Sequence, residues 1–296
     1  MNLEGQNLES LRKMIRHLQE ENQELKELLK KANITFNESK EETTNENLNE
    51  DVCIKDTYIT DILAAYFLTL FQGRRDVYAL RGAKGGYFPQ CFNRWKDICP
   101  KQNKKKMSCQ ECPYREWKAL DRDAGKRHLL GYKDNCTDVI GLYPLLEDDT
   151  CKLLVFDFDN HDEENTENTD WKDEIDAIRK ICHENGIDVL IERSRSGNGA
   201  HAWILFKEFI PATLAREFGL LLIEKGAQSI NLKSFKYYDR MFPTQDHSEG
   251  LGNLVALPLQ GQALRQGNSA FVDENWNPYY DQWKLLRTIH QLSKNE

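Results

Sequence analysis

The stretch Lys152 to Asn160, KLLVFDFDN, constrains this chain more than any other. The apolar run Leu153 to Phe156 leaves neither face polar, so it reads as a strand buried on both sides. The period of two then places Asp157 and Asp159 on one face at the strand's end. Neighbouring carboxylates repel unless something positive lies between them, and hard divalent cations such as Mg2+ or Mn2+ take oxygen ligands. The plainer alternative is that both acids cap the strand end in solvent; the DxD pattern alone is also found in phosphatases, glycosyltransferases and nucleases. Further short apolar runs supply the neighbours such a strand needs: VIGLYPLL at 139–146, IDVLIERS at 187–194, AHAWILF at 200–206 and NLVALPL at 253–259. Helical stretches, Trp171 to Glu184 and Pro211 to Gln228, alternate with them. Another helix is predicted from Asp56 to Phe71, capped by Asp56 or Thr57 and ended by Gly73. This order implies an α/β (α+β) body, with a central mixed sheet flanked by helices.

The second informative stretch is ERSRSGNGAHAWILF, residues 192–206, which reads as strand, glycine-rich turn and strand. Gly197 and Gly199 let the backbone bend and present its amides to an anion, while Arg193, Ser194, Arg195, Ser196 and His201 offer donors for phosphates. A lone histidine is more often structural than catalytic. One that follows such a turn, after a DxD strand, carries more weight.

An apolar strand ending in DxD, then SGxGxH, then a later single acid resembles the archaeo-eukaryotic primase superfamily. More narrowly, GLYPLLEDDTCKLLVFDFDNHD, IERSRSGNGAHAWILF, YYDRMFPTQD, GNLVALPLQ and DQW resemble the primase-like domain of bacterial TOTE conflict systems, roughly from Lys55 to His290. The resemblance implies a polymerase core binding two metals and a nucleoside triphosphate. It makes Asp157 and Asp159 metal ligands, and His201, with Ser196, contacts to the nucleotide's phosphates. For the third carboxylate, Asp246 is favoured because a Gly-rich connection and the strand NLVALPL follow it. Asp239, after the apolar FKYY, is the other candidate, with a structural ion pair to Arg240 or Arg265 as its alternative role. Arg193, Arg195, Arg240 and Arg265 are candidate phosphate clamps or surface residues. The implied reaction is two-metal nucleotidyl transfer on a single-stranded or primed template. Helicase or nuclease domains, which such systems often carry, lie outside the resemblance and would be partners; a role in mobile-element conflict or defence follows by association only.

The resemblance includes a cysteine cluster. Cys91, Cys99, Cys109 and Cys112 lie in one Lys-rich stretch, the last two as CxxC, and four soft ligands suit a structural Zn2+. Free thiols are the alternative, and His128 is a substitute fourth ligand. Cys53, Cys136, Cys151 and Cys182 show no such grouping. Net charge is −8, which alone argues against a nucleic-acid partner, but residues 74–135 hold 16 Lys or Arg against 7 Asp or Glu. The charge is segregated, so this basic region would hold a template by its backbone. Its aromatic residues Tyr87, Phe92 and Trp95 either stack on bases or pack in the core.

Residues 1–33 carry heptads, with Leu8, Ile15, Asn22 and Leu29 at a and Leu11, Leu18 and Leu25 at d, a pattern that predicts a parallel homodimeric coiled coil. A solvated helix on its own domain is the other possibility. The polar, acidic residues 34–50 read as a flexible linker, 51–135 as a helical and basic zinc-binding region, and 136–296 as the catalytic core. No stretch reaches the length of a membrane span and the N-terminus lacks a secretory signal, so a cytoplasmic location is expected. Two rival functions are a nuclease using the same carboxylates and a non-catalytic, dimeric nucleic-acid-binding adaptor.

Overall fold

The apolar runs form two antiparallel sheets. This computed structural model describes residues 54–102, 107–160 and 170–296. The chain divides into the units Met1–Asn49 and Glu50–Glu296. The heptads, the linker and Cys53 lie outside the described residues.

The described elements run α1 (Asp61–Leu70), β1 (Ala79–Arg81), β2 (Tyr87–Pro89), α2 (Arg122–Leu130), β3 (Ile140–Leu142), β4 (Thr150–Asp159), α3 (Trp171–Glu184), β5 (Leu190–Arg193) and β6 (Gly199–Pro211). They continue with α4 (Ala212–Ser229), β7 (Tyr238–Phe242), β8 (Val255–Ala256), α5 (Gly261–Leu264), β9 (Ala270–Phe271) and α6 (Gln282–Thr288). Helix α1 starts later than Asp56 or Thr57 would place it: Thr60 is the cap, its hydroxyl accepting from the Leu63 amide at 3.1 Å.

The large sheet has the order β7-β4-β6-β5-β9, the small one β2-β1-β3-β8. The units β4-α3-β5 and β6-α4-β7 each join two strands running the same way, but with one oppositely directed strand between them. This is a split βαβ arrangement repeated twice. It corrects the expectation of a mixed sheet: both helical crossovers skip a position, so every ladder in both sheets is antiparallel. Strands β1 and β2 pair through β3 to β8, so residues 51–135 and 136–296 share the small sheet.

Alternation along β4 divides the core in two. Leu154, Phe156 and Phe158, with Ala200, Ala202 and Ile204 of β6, pack beneath Ile175 and Ile178 of α3 and Ala215 and Leu222 of α4. Leu153 and Val155, with Trp203 and Leu205, face the other way onto Phe67 of α1, its C-cap Phe71, Phe271, and Ile140 and Leu142 of the small sheet. Full burial of each such side chain stabilises the fold by about 1.5–3 kcal/mol. On this second face the apolar side chains give way at Asp157 and Asp159, which are only partly buried.

Candidate active site

Antiparallel register builds the site as a row. Asp157 of β4 lies opposite Arg240 of β7 on one side and His201 of β6 on the other, and His201 lies opposite Glu192 of β5. Directly paired residues project to the same face with Cβ atoms about 4.5–5.5 Å apart, so four charged side chains stand side by side. The His201 ring bridges two of them, with Nδ1 2.9 Å from Glu192 Oε2 and Nε2 3.4 Å from Asp157 Oδ1. Burial alone would lower its pKa, but the charges of Glu192 and Asp157 outweigh burial and hold it well above the ordinary histidine value.

A bulge supplies the third carboxylate. Between the pairs Asp157↔Arg240 and Phe158↔Tyr238, β7 has one residue more than β4, and that residue is Asp239. In an unbroken ladder Asp239 would oppose Phe158 and point to the helical face; the bulge turns it to the acidic one. One oxygen from each of Asp157, Asp159 and Asp239 then falls within 4.8 Å of the others, the one such group of three or more potential metal ligands among the described residues. A hard oxygen donor set of this kind suits Mg2+ or Mn2+. Asp246, favoured from the sequence, is instead engaged by Arg216, whose Nε lies 2.6 Å from its Oδ1. Asp239 also accepts from Arg240 Nε at 2.7 Å, which keeps that guanidinium beside the carboxylates.

The glycine turn sits next to them. Gly197 has φ +84°, a conformation that L side chains rarely adopt. Gly199 is required for another reason: it pairs with Asp159, and a Cβ there would stand 2.4 Å from Phe158 O and 2.6 Å from Asp159 Oδ1. The hydroxyls of Ser194 and Ser196 are 3.1 Å apart, and Ser196 Oγ accepts from the Asn198 amide at 3.4 Å. Arg195 is half-buried at the same turn.

Two of the candidate phosphate clamps are engaged by backbone carbonyls. Arg193 donates to the carbonyls of Gly267 and Trp276, pinning the loop on either side of β9. Arg265 donates to the carbonyls of Leu130 and Gly131 and caps α2.

Glu192, which the sequence reading passed over, is the best-connected side chain of the row. Only 2% exposed, it accepts from His201, from Trp203 Nε1 at 2.9 Å and from Ser269 Oγ at 3.1 Å. The available signal was an acid directly following the apolar run Val189 to Ile191, since a buried charge needs partners.

The cysteines are less decided. Cys91, Cys99, Cys109 and Cys112 are partly exposed thiols, and no three of them meet as ligands within 4.8 Å. Cys91 Sγ accepts from the amides of Asn93 at 3.4 Å and Glu116 at 3.3 Å. His128 is no substitute ligand: fully buried, it takes a hydrogen bond at Nδ1 from the Ile140 amide and donates from Nε2 to Pro258 O. Cys136, Cys151 and Cys182 are buried, and burial pushes the Cys151 and Cys182 thiols up to about 12.

Fold and site together define a mixed α/β protein with a carboxylate centre suited to divalent cations. Residues 63–296 match the family model described as "TOTE conflict system, Archaeo-Eukaryotic Primase domain", and the chain belongs to that family. No curated protein matches it. Among solved structures, the polymerase domain from Mycobacterium tuberculosis ligase D in complex with DNA is similar over 80% of this chain and 86% of its own, at 12% identity and a TM-score of 0.37. Among the described residues no helix is long and apolar enough to cross a membrane.

Proposed function

We propose that this chain is a primase-polymerase-type nucleotidyltransferase that joins nucleotides on a single-stranded or primed template. The observation that carries the proposal is the convergence of Asp157, Asp159 and Asp239 on one half-open face beside His201. These carboxylates would hold two Mg2+ or Mn2+ ions. Such a pair, when bound, lowers the pKa of an attacking 3'-hydroxyl and stabilises the leaving pyrophosphate. The chain's own contribution is placement and charge. The turn from Ser196 to Gly199 offers amides and a hydroxyl to the triphosphate. His201, charged and steered by Glu192, presents an N–H beside it. Arg240 adds a second cation on the same row, and Arg195 a third at the turn.

Purified protein is incubated with Mg2+ or Mn2+, a single-stranded template and labelled nucleotides, with and without primer, beside an Asp157→Ala, Asp159→Ala double variant. Extension by the unaltered chain alone is expected, and product without a primer would make it a primase. Release of nucleotides from the template would show a nuclease instead; template binding with no turnover would show an adaptor.

The remaining features complete the proposal. The heptads of residues 1–33, which lie outside the described residues, support pairing of two copies of the chain, and the proposal includes a cytoplasmic location, a role in mobile-element conflict and a helicase or nuclease as partner. The cysteine region holds one structural Zn2+; its support is the CxxC pair and the two amides directed at Cys91 Sγ, and against a preformed tetrahedron stands the separation of the sulfurs. Metal analysis of the purified chain against Cys109→Ser checks this, and an equal zinc content in both would refute it.

A further inference from the structure

Strand β2 is the outer edge of the small sheet, and alternation along it sends Tyr87 inward and Phe88 outward. Tyr87 packs against Val77, Ala79 and Tyr143, and its ring lies over Gly141, where a Cβ would stand 2.8 Å away. Phe88 lies on the opposite face of the strand, over Gly82, where a Cβ would come within 2.5 Å of the ring. The core has thus taken Tyr87 and left three aromatic residues close to it in sequence outside: Phe88 is 36% exposed, Phe92 55% and Trp95 78%.

Isolated exposed apolar residues are ordinary, but a Trp with most of its surface in water is not. These rings also have company of one kind. The Arg94 guanidinium lies 4.5 Å from the Phe88 centroid and 5.1 Å from that of Trp95, and Lys118 Nζ lies 5.3 Å from the Phe92 centroid. Planar apolar faces interleaved with fixed cations, within a segment where Lys and Arg outnumber Asp and Glu by 16 to 7, match two features of a nucleic-acid strand: stackable bases and a phosphate backbone. A duplex hides its bases from such rings. An acidic protein would engage the cations and leave the aromatic faces without a purpose.

We propose that Phe88, Phe92 and Trp95, with Arg94 and Lys118, form a stacking platform that binds single-stranded nucleic acid without reading its sequence. The inference deepens the template-directed reading only in calling the bound strand a template. Binding is measured separately, without divalent cations or nucleotides, so it stands or falls apart from catalysis.

The test is anisotropy of a labelled 20-nucleotide oligothymidylate with the full chain. Trp95→Ala and Phe92→Ala are each expected to weaken binding about tenfold, because one base stack is lost. Trp95→Phe should restore most of the affinity. The salt dependence should keep its slope, since the phosphate contacts remain. The Asp157→Ala, Asp159→Ala variant should bind like the unaltered chain, so failure of extension cannot be mistaken for failure of the platform. Because these side chains are exposed, unfolding midpoints should not move. Unchanged affinity in a Trp95→Ala, Phe92→Ala double variant would overturn the proposal. So would an equal loss for a duplex of the same length, or for heparin, either of which would leave only a basic surface.

Discussion

Removing the Glu192 carboxylate tests whether the charged row is held from beneath. With 2% exposure, the side chain receives three hydrogen bonds, from His201, Trp203 and Ser269. In Glu192→Ala, Trp203 Nε1 and the Ser269 hydroxyl, on residues 0% and 1% exposed, lose their acceptor in a place water does not reach. A buried donor left unpaired costs about 1–3 kcal/mol, and removing one partner of a buried charged pair about 3–5 kcal/mol. A loss of about 4 kcal/mol is therefore expected, a large part of the 5–15 kcal/mol by which most domains are stable. Glu192→Gln is different. With its oxygen toward His201 and Trp203 and its amide donating to Ser269 Oγ, glutamine keeps a hydrogen bond to all three partners and leaves only the Ser269 hydroxyl proton without its acceptor, so the loss should be about 1–2 kcal/mol. Urea unfolding at pH 7.5 separates the two. Under the proposed function, Glu192→Gln should also raise the KM for nucleotide about tenfold with a smaller change in kcat, because His201 keeps its place but loses its steering charge. Equal unfolding midpoints for the alanine variant and the unaltered chain would refute the reasoning. A glutamine variant as unstable as the alanine one would show that charge, not hydrogen bonding, holds the site.

The identity of the third carboxylate gives a paired test: Asp239→Asn should reduce turnover at least about 100-fold, whereas Asp246→Asn should leave turnover intact and cost under about 1 kcal/mol, since its pair with Arg216 is partly exposed. The reverse pattern would return the role to Asp246. Acid should destabilise the fold through His128, whose pKa burial lowers to about 4 from 6.5. Its neutral form is the native one, so its contribution is complete above pH 6.5 and is lost as pH falls toward 4, about 3 kcal/mol in all. Unfolding midpoints at pH 7.5 and 4.5 should differ more in the unaltered chain than in His128→Asn; an equal difference would dismiss this histidine as the cause. Gly199→Ala should push Asp159 off β6, lowering both stability, by about 1–3 kcal/mol, and Mn2+ affinity read by calorimetry. An alanine variant with unchanged Mn2+ binding would show that the clash relaxes without moving the carboxylate.

What could be read from the sequence was whatever period and chemistry determine locally. Asp157 and Asp159 were legible because a strand's alternation needs no partner to be known, and His201 because it follows a turn whose residues name its geometry. Asp239 was legible only as the second choice after Asp246, because its direction depends on a single extra residue in β7 against β4, and a bulge leaves no mark in composition. The partners of two arginines were hidden for a related reason. Arg193 and Arg265 are bound by carbonyls 74 or more residues away, and nothing near them in sequence announces those partners. The sheet's all-antiparallel ladders were hidden too, since a βαβ pattern reads alike whether the second strand lands beside the first or one place further on.

The order of charges along the row explains how the fold tolerates it. Arg240, Asp157, His201 and Glu192 alternate in sign across four adjacent strands, so each carboxylate in the row has a cation for its cross-strand neighbour. Two acids in adjacent register would repel, and burying a carboxylate is costly unless a cation and hydrogen-bond donors stand beside it. The histidine therefore does structural service before any substrate arrives, offsetting a buried charge on one side and the partly exposed Asp157 on the other. Asp159 and Asp239 stand at the margins of this row, where the apolar cover ends and a cation can enter. The same strand that is apolar on both faces between Leu153 and Phe156 can therefore end in carboxylates without unravelling, and the position of that change along β4 is the position of the site.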